Sequence, residues 1–170
     1  FYDELPPGLR TRTMPVIQGH TYEQVDYCLR AYLELDTRYL GFGSFGTTGT
    51  KGEVNVATSN SVALARYVAE VAKKAGRRVH LFGLGVPALA AMISSIGASS
   101  FDSSSWIKAA GFGQVYLPFM RAHNISHRNM GSTLQKGITV QRFLQYRELT
   151  GHSCPFCEDV EKLQQKKMYR

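Results

Sequence analysis

Three soft metal ligands crowd the stretch GHSCPFCEDV: His152, Cys154 and Cys157. Two thiolates two residues apart can grip one zinc ion, and an imidazole just upstream can take a third corner of the tetrahedron. Nothing beside them suggests a catalytic water, so the expected role is a structural clamp that pins the tail of the chain. The plainer reading is a buried cysteine pair in a turn at Pro155. A second candidate is Asp102, between Phe101 and the run Ser103-Ser104-Ser105. A carboxylate among small hydroxyls at a strand end can act as a nucleophile at a sugar anomeric carbon; it can equally be a turn or helix-cap aspartate. A third is GLGVPA, where Gly83, Gly85 and Ala88 match the G-x-G-x-x-A spacing of dinucleotide-binding turns, with Asp102 placed where a ribose-binding acid would stand. Two βα units precede this turn and Pro87 sits inside it, and both features weigh against a nucleotide-binding oxidoreductase.

The elements that must position these residues alternate along the chain. MPVIQG (14–19) is a short apolar run closed by Gly19. Thr21 and Gln24 then form a capping-box pattern, followed by Val25, Cys28, Leu29, Tyr32 and Leu33 on one helical face. On this pattern Cys28 is expected in the core. RYLGFGSF (38–45) reads as the next strand. Thr58, Ser59 and Asn60 offer caps for a helix with the stripe Leu64, Val68, Val71 and Ala75, stopped at Gly76. RVHLFGLG (78–85) reads as a third strand, and Pro87 suits the first turn of a helix lined by Leu89, Met92, Ile93 and Ile96. SSFDSSS (99–105) reads as a fourth strand. The order β-α-β-α-β-α-β, with no hairpin signal between strands, predicts a parallel sheet with right-handed crossovers. Function in such sheets gathers at the carboxyl ends of the strands. The residues there are Gln18, Gly43 with Ser44, Gly83 with Gly85, and Asp102.

From Trp106 the pattern changes. Residues 106–135 read as an irregular insertion with short strands around Gln114–Phe119, Val140–Leu149 as a short helix, and the residues after the cysteines as a charged helical tail bearing Val160 and Leu163. The expected domains are therefore 1–105 and 106–170.

Composition bounds the reading. The chain has 170 residues, 44% of them hydrophobic and 19% charged, enough for one domain with a real core. No apolar run approaches the length of a membrane span, and FYDELPPGLR lacks the features of a signal peptide. Three cysteines do not make a disulfide framework, so a reducing, cytoplasmic setting is expected. The net charge of +7 favours a polyanionic partner such as nucleic acid, although the basic residues are scattered and any one cluster is explained by solvated surface charge.

Taken in order, four stretches resemble the tRNA-guanine transglycosylases. HLFGLGVPALAAMISSIGASSFDSSSW resembles the segment carrying their nucleophilic aspartate, PVIQG their glutamine-bearing strand, YLGFGSFG their base-cradling glycine loop, and HSCPFC their zinc knuckle. The resemblance implies the last four βα units of a (β/α)8 TIM barrel followed by a zinc-binding subdomain. It implies base exchange, with Asp102 as nucleophile, Gln18 on the base edge, Gly43 and Ser44 offering backbone groups to the base, Gly83 and Gly85 at the substrate-binding turn, and His152, Cys154 and Cys157 on structural zinc. His152 stands where the tRNA enzymes usually have Cys, and H-x-C-x-x-C looks more like the paralogue that inserts a 7-deazaguanine base into DNA. The partners implied are thus DNA, with tRNA as the alternative, and a free 7-deazaguanine base. The family's proton-transfer aspartate lies in the first half of the barrel and has no match here, and its last zinc ligand, a His, would fall beyond Arg170. A missing N-terminal half or partner chain is therefore expected to complete a stable, active protein. A non-catalytic partner subunit is the reading from another class.

Overall fold

The computed structural model describes residues 2–48, 54–117, 122–125, 128–130, 133–135, 137–155 and 157–159. The chain folds as two compact units, Phe1–Gly85 with Ala90–Ser103, and Val86–Leu89 with Ser104–Arg170.

The first unit starts with a single helical turn, α1 (Pro7–Arg10), and runs through β1 (Val16–Ile17), α2 (Tyr22–Leu33), β2 (Tyr39–Phe42), β3 (Gly46–Thr48), β4 (Val54–Val56), α3 (Ser59–Lys74), β5 (Arg78–Leu81), α4 (Ala90–Ile96) and β6 (Ser100–Phe101). Strands β1, β2, β5 and β6 form a sheet in that order, every neighbour parallel. Each crossover steps the same way across the sheet. With right-handed crossovers, that winding lays successive helices along one face. Side-chain contacts agree: Tyr67 of α3 donates a hydrogen bond to Asp26 of α2 at 2.6 Å, and Arg66 of α3 reaches Ser95 of α4. The core lies between that face and the helices. Ile17, Leu40, Phe42, Val79 and Leu81 point into it from the strands, against Val25, Leu29, Leu64, Ala65, Val68, Ala72, Ile93 and Ile96.

Local chemistry sets the helix starts. Thr21 accepts from the backbone of Gln24, while the Gln24 side chain turns back to the N–H of His20, one residue short of the reciprocal capping box that the spacing suggests. Thr58 makes a full box with Ser61. Pro87 opens a single 3-10 turn, Pro87–Leu89, directly before α4 in the chain.

Three expectations are corrected. Strands β3 and β4 pair as an antiparallel hairpin between β2 and α3, so the strand series is interrupted. The turn chemistry was present in GTTGTKGEVNV, whose glycines and flanking Thr and Val residues suit a hairpin. Cys28 is only half-buried: α2 places Val25 and Leu29 in the core and turns the thiol towards the Gln18 carbonyl, 3.4 Å away. The buried stripe of α3 runs through Ser61, Leu64, Ala65, Val68, Ala69 and Ala72, so Val71 is half-buried and Ala75, its C-cap, is exposed.

The second unit holds the Pro87–Leu89 turn, α5 (Ser105–Gly111), β7 (Gln114–Tyr116), β8 (Ala122–Asn124), β9 (Arg128–Met130), β10 (Thr133–Gln135) and α6 (Val140–Thr150). β7 pairs antiparallel with β8, and β9 with β10. Leu117, Ile125, Phe143 and Cys157 form its core, with Val115, Ile138, Tyr146 and Cys154 packed against them. Phe119, Val160 and Leu163 lie outside the described residues. Among the described residues, no helix is long and apolar enough to cross a membrane.

Candidate functional site

Parallel pairing brings four strand ends to one edge of the sheet. Gln18 follows β1, Gly43 and Ser44 follow β2, Gly83 stands two residues past β5, and Asp102 follows β6. Register fixes which face they share. Val16, Gly41, His80 and Ser100 are aligned in one row across the sheet, and alternation puts them opposite the core-facing Ile17, Phe42 and Leu81. Gln18, Gly43, Phe82 and Asp102 each stand two residues beyond a member of that row. They therefore make the next layer on the same face, nearest the carboxyl edge.

Two clusters result. In the first, the Ser44 hydroxyl is buried, accepts from the N–H of Gly19 at 2.6 Å and donates to Oε1 of Gln18 at 3.1 Å. The amide nitrogen of Gln18 lies over the α-carbon of Gly43, so close that a Cβ there would stand 2.8 Å from it. Ser44 thus orients Gln18 through its side chain, and Gly43 supplies the gap into which the amide fits. Gln18 itself is exposed, with one donor nitrogen presented near the strand end.

The second cluster surrounds Asp102, whose side chain is 54% exposed. Its Oδ1 accepts from the N–H of Gly83 at 3.0 Å and contacts Nε2 of His80 at 3.2 Å. The other ring nitrogen of His80 meets the Ser100 hydroxyl at 2.9 Å, and the ring packs edge-on to Phe82 at 4.6 Å. Asp102 does not cap α5, whose N-cap is Ser104. Gly85 lies against Ser103 and Phe101, 2.7 Å and 3.0 Å from where its Cβ would be. Sequence reading missed His80. The available signal was its period-two spacing from Phe82 in a strand whose neighbour ends in Asp102, and that signal needs the register to be read.

A cavity of about 700 Å3 opens beside Gln18 and Ser44, lined also by His20, Gln24, Tyr27 and Cys28. Gly43, Gly83 and Asp102 are not among its lining residues. The dinucleotide reading of Gly83, Gly85 and Ala88 also loses its context. Among the described residues the strand order β1-β2-β5-β6 does not reverse at β5, as a switch point would require, and the turn leads into a 3-10 turn of three residues rather than the start of a long helix.

In the second unit, α6 ends at Gly151, which has a left-handed conformation (φ 60°), and the chain doubles back. His152 donates its N–H to the Arg147 carbonyl, Cys157 to that of Cys154, and the Arg147 guanidinium reaches the Cys157 carbonyl at 2.6 Å. The ligand atoms of His152, Cys154 and Cys157 all lie within 4.8 Å of one another. Ligands of a tetrahedral zinc stand roughly 3.3–3.8 Å apart, so the three lie about 1 Å wider at most than a bound ion would hold them. Burial, then the neighbouring Cys154, push the Cys157 thiol up to about 11. The donor set fits a zinc-type ion, which would replace the thiol protons and bind the end of α6 to the unit's core.

No family model matches the chain, and no solved structure matches it. Over 102 residues it is 30% identical to the tRNA-guanine(15) transglycosylase of Korarchaeum cryptofilum (strain OPF8). The match covers 59% of this chain and 16% of that protein, so the chain spans under a fifth of the length of the curated relative it matches. This distant similarity supports a link to the tRNA-guanine transglycosylase superfamily, whose named member here exchanges glycosyl groups.

Proposed function

We propose that the protein carrying this chain is a base-exchange transglycosylase that replaces guanine in a polynucleotide with a 7-deazaguanine base. The observation that carries the reading is Asp102, half-exposed at a strand end with one carboxylate oxygen held by Gly83 and His80, in a chain similar to a transglycosylase. Asp102 Oδ2 attacks the anomeric carbon; the C1′–N9 bond breaks and its electron pair leaves with guanine. The incoming base then attacks C1′ through N9, the ester bond breaks, and its electron pair returns to the carboxylate. The incoming base gives up one proton and the departing guanine takes up one, so the exchange balances without a redox partner. Gln18 reads the base edge, oriented by Ser44 and seated over Gly43. The turn at Gly83 and Gly85 completes the substrate side. Zinc on His152, Cys154 and Cys157 has a structural role.

The parallel sheet is read as the last four βα units of a (β/α)8 barrel, completed by an N-terminal half or a partner chain that also supplies the proton-transfer acid. Domains 1–105 and 106–170 then correspond to barrel and zinc subdomain. DNA is the proposed polymer, because His152 opens the knuckle where the tRNA enzymes usually carry Cys. A flipped-out nucleotide would be required, and the charge of +7 suits the phosphates. The second reading is tRNA, which the name of the relative favours.

The test offers a labelled 7-deazaguanine base, with DNA and tRNA in separate reactions, to the full-length protein carrying this chain. Label entering DNA, and reduced about a thousandfold or more by Asp102→Asn, is the expected result. Label entering tRNA keeps the chemistry and overturns the branch. Label in neither polymer, with zinc bound, overturns the enzyme reading in favour of a scaffold.

A further inference from the structure

Asp102 has two carboxylate oxygens, and Gly83 and His80 both bond the same one. Gly83 N–H and His80 Nε2 converge on Oδ1 at 3.0 and 3.2 Å. Among the described residues, no hydrogen bond reaches Oδ2. We propose that His80 is a positioning residue for Asp102: it holds Oδ1, locks the rotation of the carboxylate, and leaves Oδ2 as the attacking atom.

The proton inventory of the ring supports this. An ionised carboxylate only accepts hydrogen bonds, so Nε2 carries a proton wherever it bonds Asp102. The Ser100 hydroxyl, 2.9 Å from Nδ1, donates to the neutral ring or accepts from the charged one. In either state Nε2–H points at Oδ1. The ring has little freedom to turn away. Its side chain is 17% exposed, Phe82 packs on it edge-on at 4.6 Å, and both nitrogens are engaged. Asp102, by contrast, is 54% exposed and directly follows a two-residue strand, β6, that has one neighbour among the described residues, where no other side-chain hydrogen bond holds its carboxylate. Ser100, His80 and Asp102 form a chain across two strands, set by the register that pairs His80 with Ser100.

The effect belongs to the step in which Asp102 bonds to the sugar, because misorienting a nucleophile slows attack and leaves binding intact. This inference rests on the base-exchange reading, and the experiment separates the two. Full-length protein is mixed in single turnover with guanine-containing polynucleotide and no incoming base, and the denaturant-resistant protein–nucleic acid adduct is followed against time. Affinity for the polynucleotide is measured alongside. His80→Phe keeps a ring against Phe82 and removes the donor. It is expected to slow adduct formation about 10- to 100-fold, the loss of one charge-assisted hydrogen bond, at unchanged affinity. His80→Gln, whose amide nitrogen can occupy the place of Nε2, is expected to recover most of that rate. His80→Phe at the wild-type rate overturns the inference and leaves base exchange standing. Both variants equally slow, with weakened affinity, reduce His80 to a packing residue and also overturn it. Adduct formation that survives Asp102→Asn overturns the base-exchange reading and this inference together.

Discussion

Gly43 has no room for a side chain. Its α-carbon faces the Gln18 amide, and a methyl group there would lie 2.8 Å from the amide nitrogen. The displaced group is the tip of a flexible side chain, so Gly43→Ala is expected to fold. It pushes Gln18 away from the strand end and breaks the 3.1 Å bond from Ser44. On the base-exchange reading this raises KM for the free base about tenfold while the rate from bound base changes little, because a misplaced reader weakens binding before it weakens chemistry. Gln18→Ala is expected to do the same, and the double variant no more than either alone, since both act through one amide. Steady-state kinetics of the three variants check this, and additive effects would show that Gly43 meets the base by itself. Asp102 is different in kind, because among the described residues its neighbours hold one of its two oxygens.

Much of the element order is legible in the sequence. Helices α2 and α3 are legible because Thr21 and Thr58 each cap one, their side chains accepting from Gln24 and Ser61 as the spacing of polar caps and apolar faces implies, whereas α5 falls where the sequence reads as an irregular insertion. Strand ends are legible at β1, β2 and β6, which are followed by Gln18, Gly43 and Asp102, whereas β5 ends at Leu81 before Phe82, short of Gly83 and Gly85. Register is not legible, since the alignment of His80 with Ser100 is decided by pairing, and this hid His80. The β3–β4 hairpin was hidden because short Thr- and Val-containing runs give too little periodicity to separate strand from loop. At the knuckle, the spacing of Cys154 and Cys157 was plain in the sequence, but the thiol's environment was not. With Cys157 pushed up to about 11, it is protonated at neutral pH, and metal must displace that proton. Apparent zinc affinity of the full-length protein is therefore expected to rise between about pH 6 and pH 8, by more than tenfold per pH unit if both thiols ionise on binding. Competition with a chromophoric chelator measures it, and a flat profile would show that the thiols are not ligands. Phe143 anchors α6 in the same small core, 3% exposed. Phe143→Ala is expected to cost about 3–5 kcal/mol by denaturant melts, and to lower zinc retention with it.

At the scale of the molecule, the parallel sheet poses a problem that its own residues do not solve. Sheets of this kind are ordinarily covered on both faces, yet α2, α3 and α4 are wound onto one. Among the described residues, β1 and β6 each have a single neighbour. The N–H groups of Gly41 and Gly43 donate to the carbonyls of Pro15, just before β1, and of Ile17, so both carbonyls face β2 and the Val16 N–H between them points away from it. Phe101, at the opposite edge, is 51% exposed. A free edge beside exposed apolar surface invites pairing with another strand. On the proposed barrel, further strands close against β1 and β6. The 170-residue chain expressed alone is then expected to exchange the Val16 amide hydrogen rapidly and to self-associate as its concentration rises. In the full-length protein that amide is expected to be protected about a hundredfold or more, because edge pairing links its opening to the stability of the whole sheet. Equal exchange in both would mean that nothing pairs on β1, and the barrel reading would fail there while the chemistry at Asp102 stayed open to its own test.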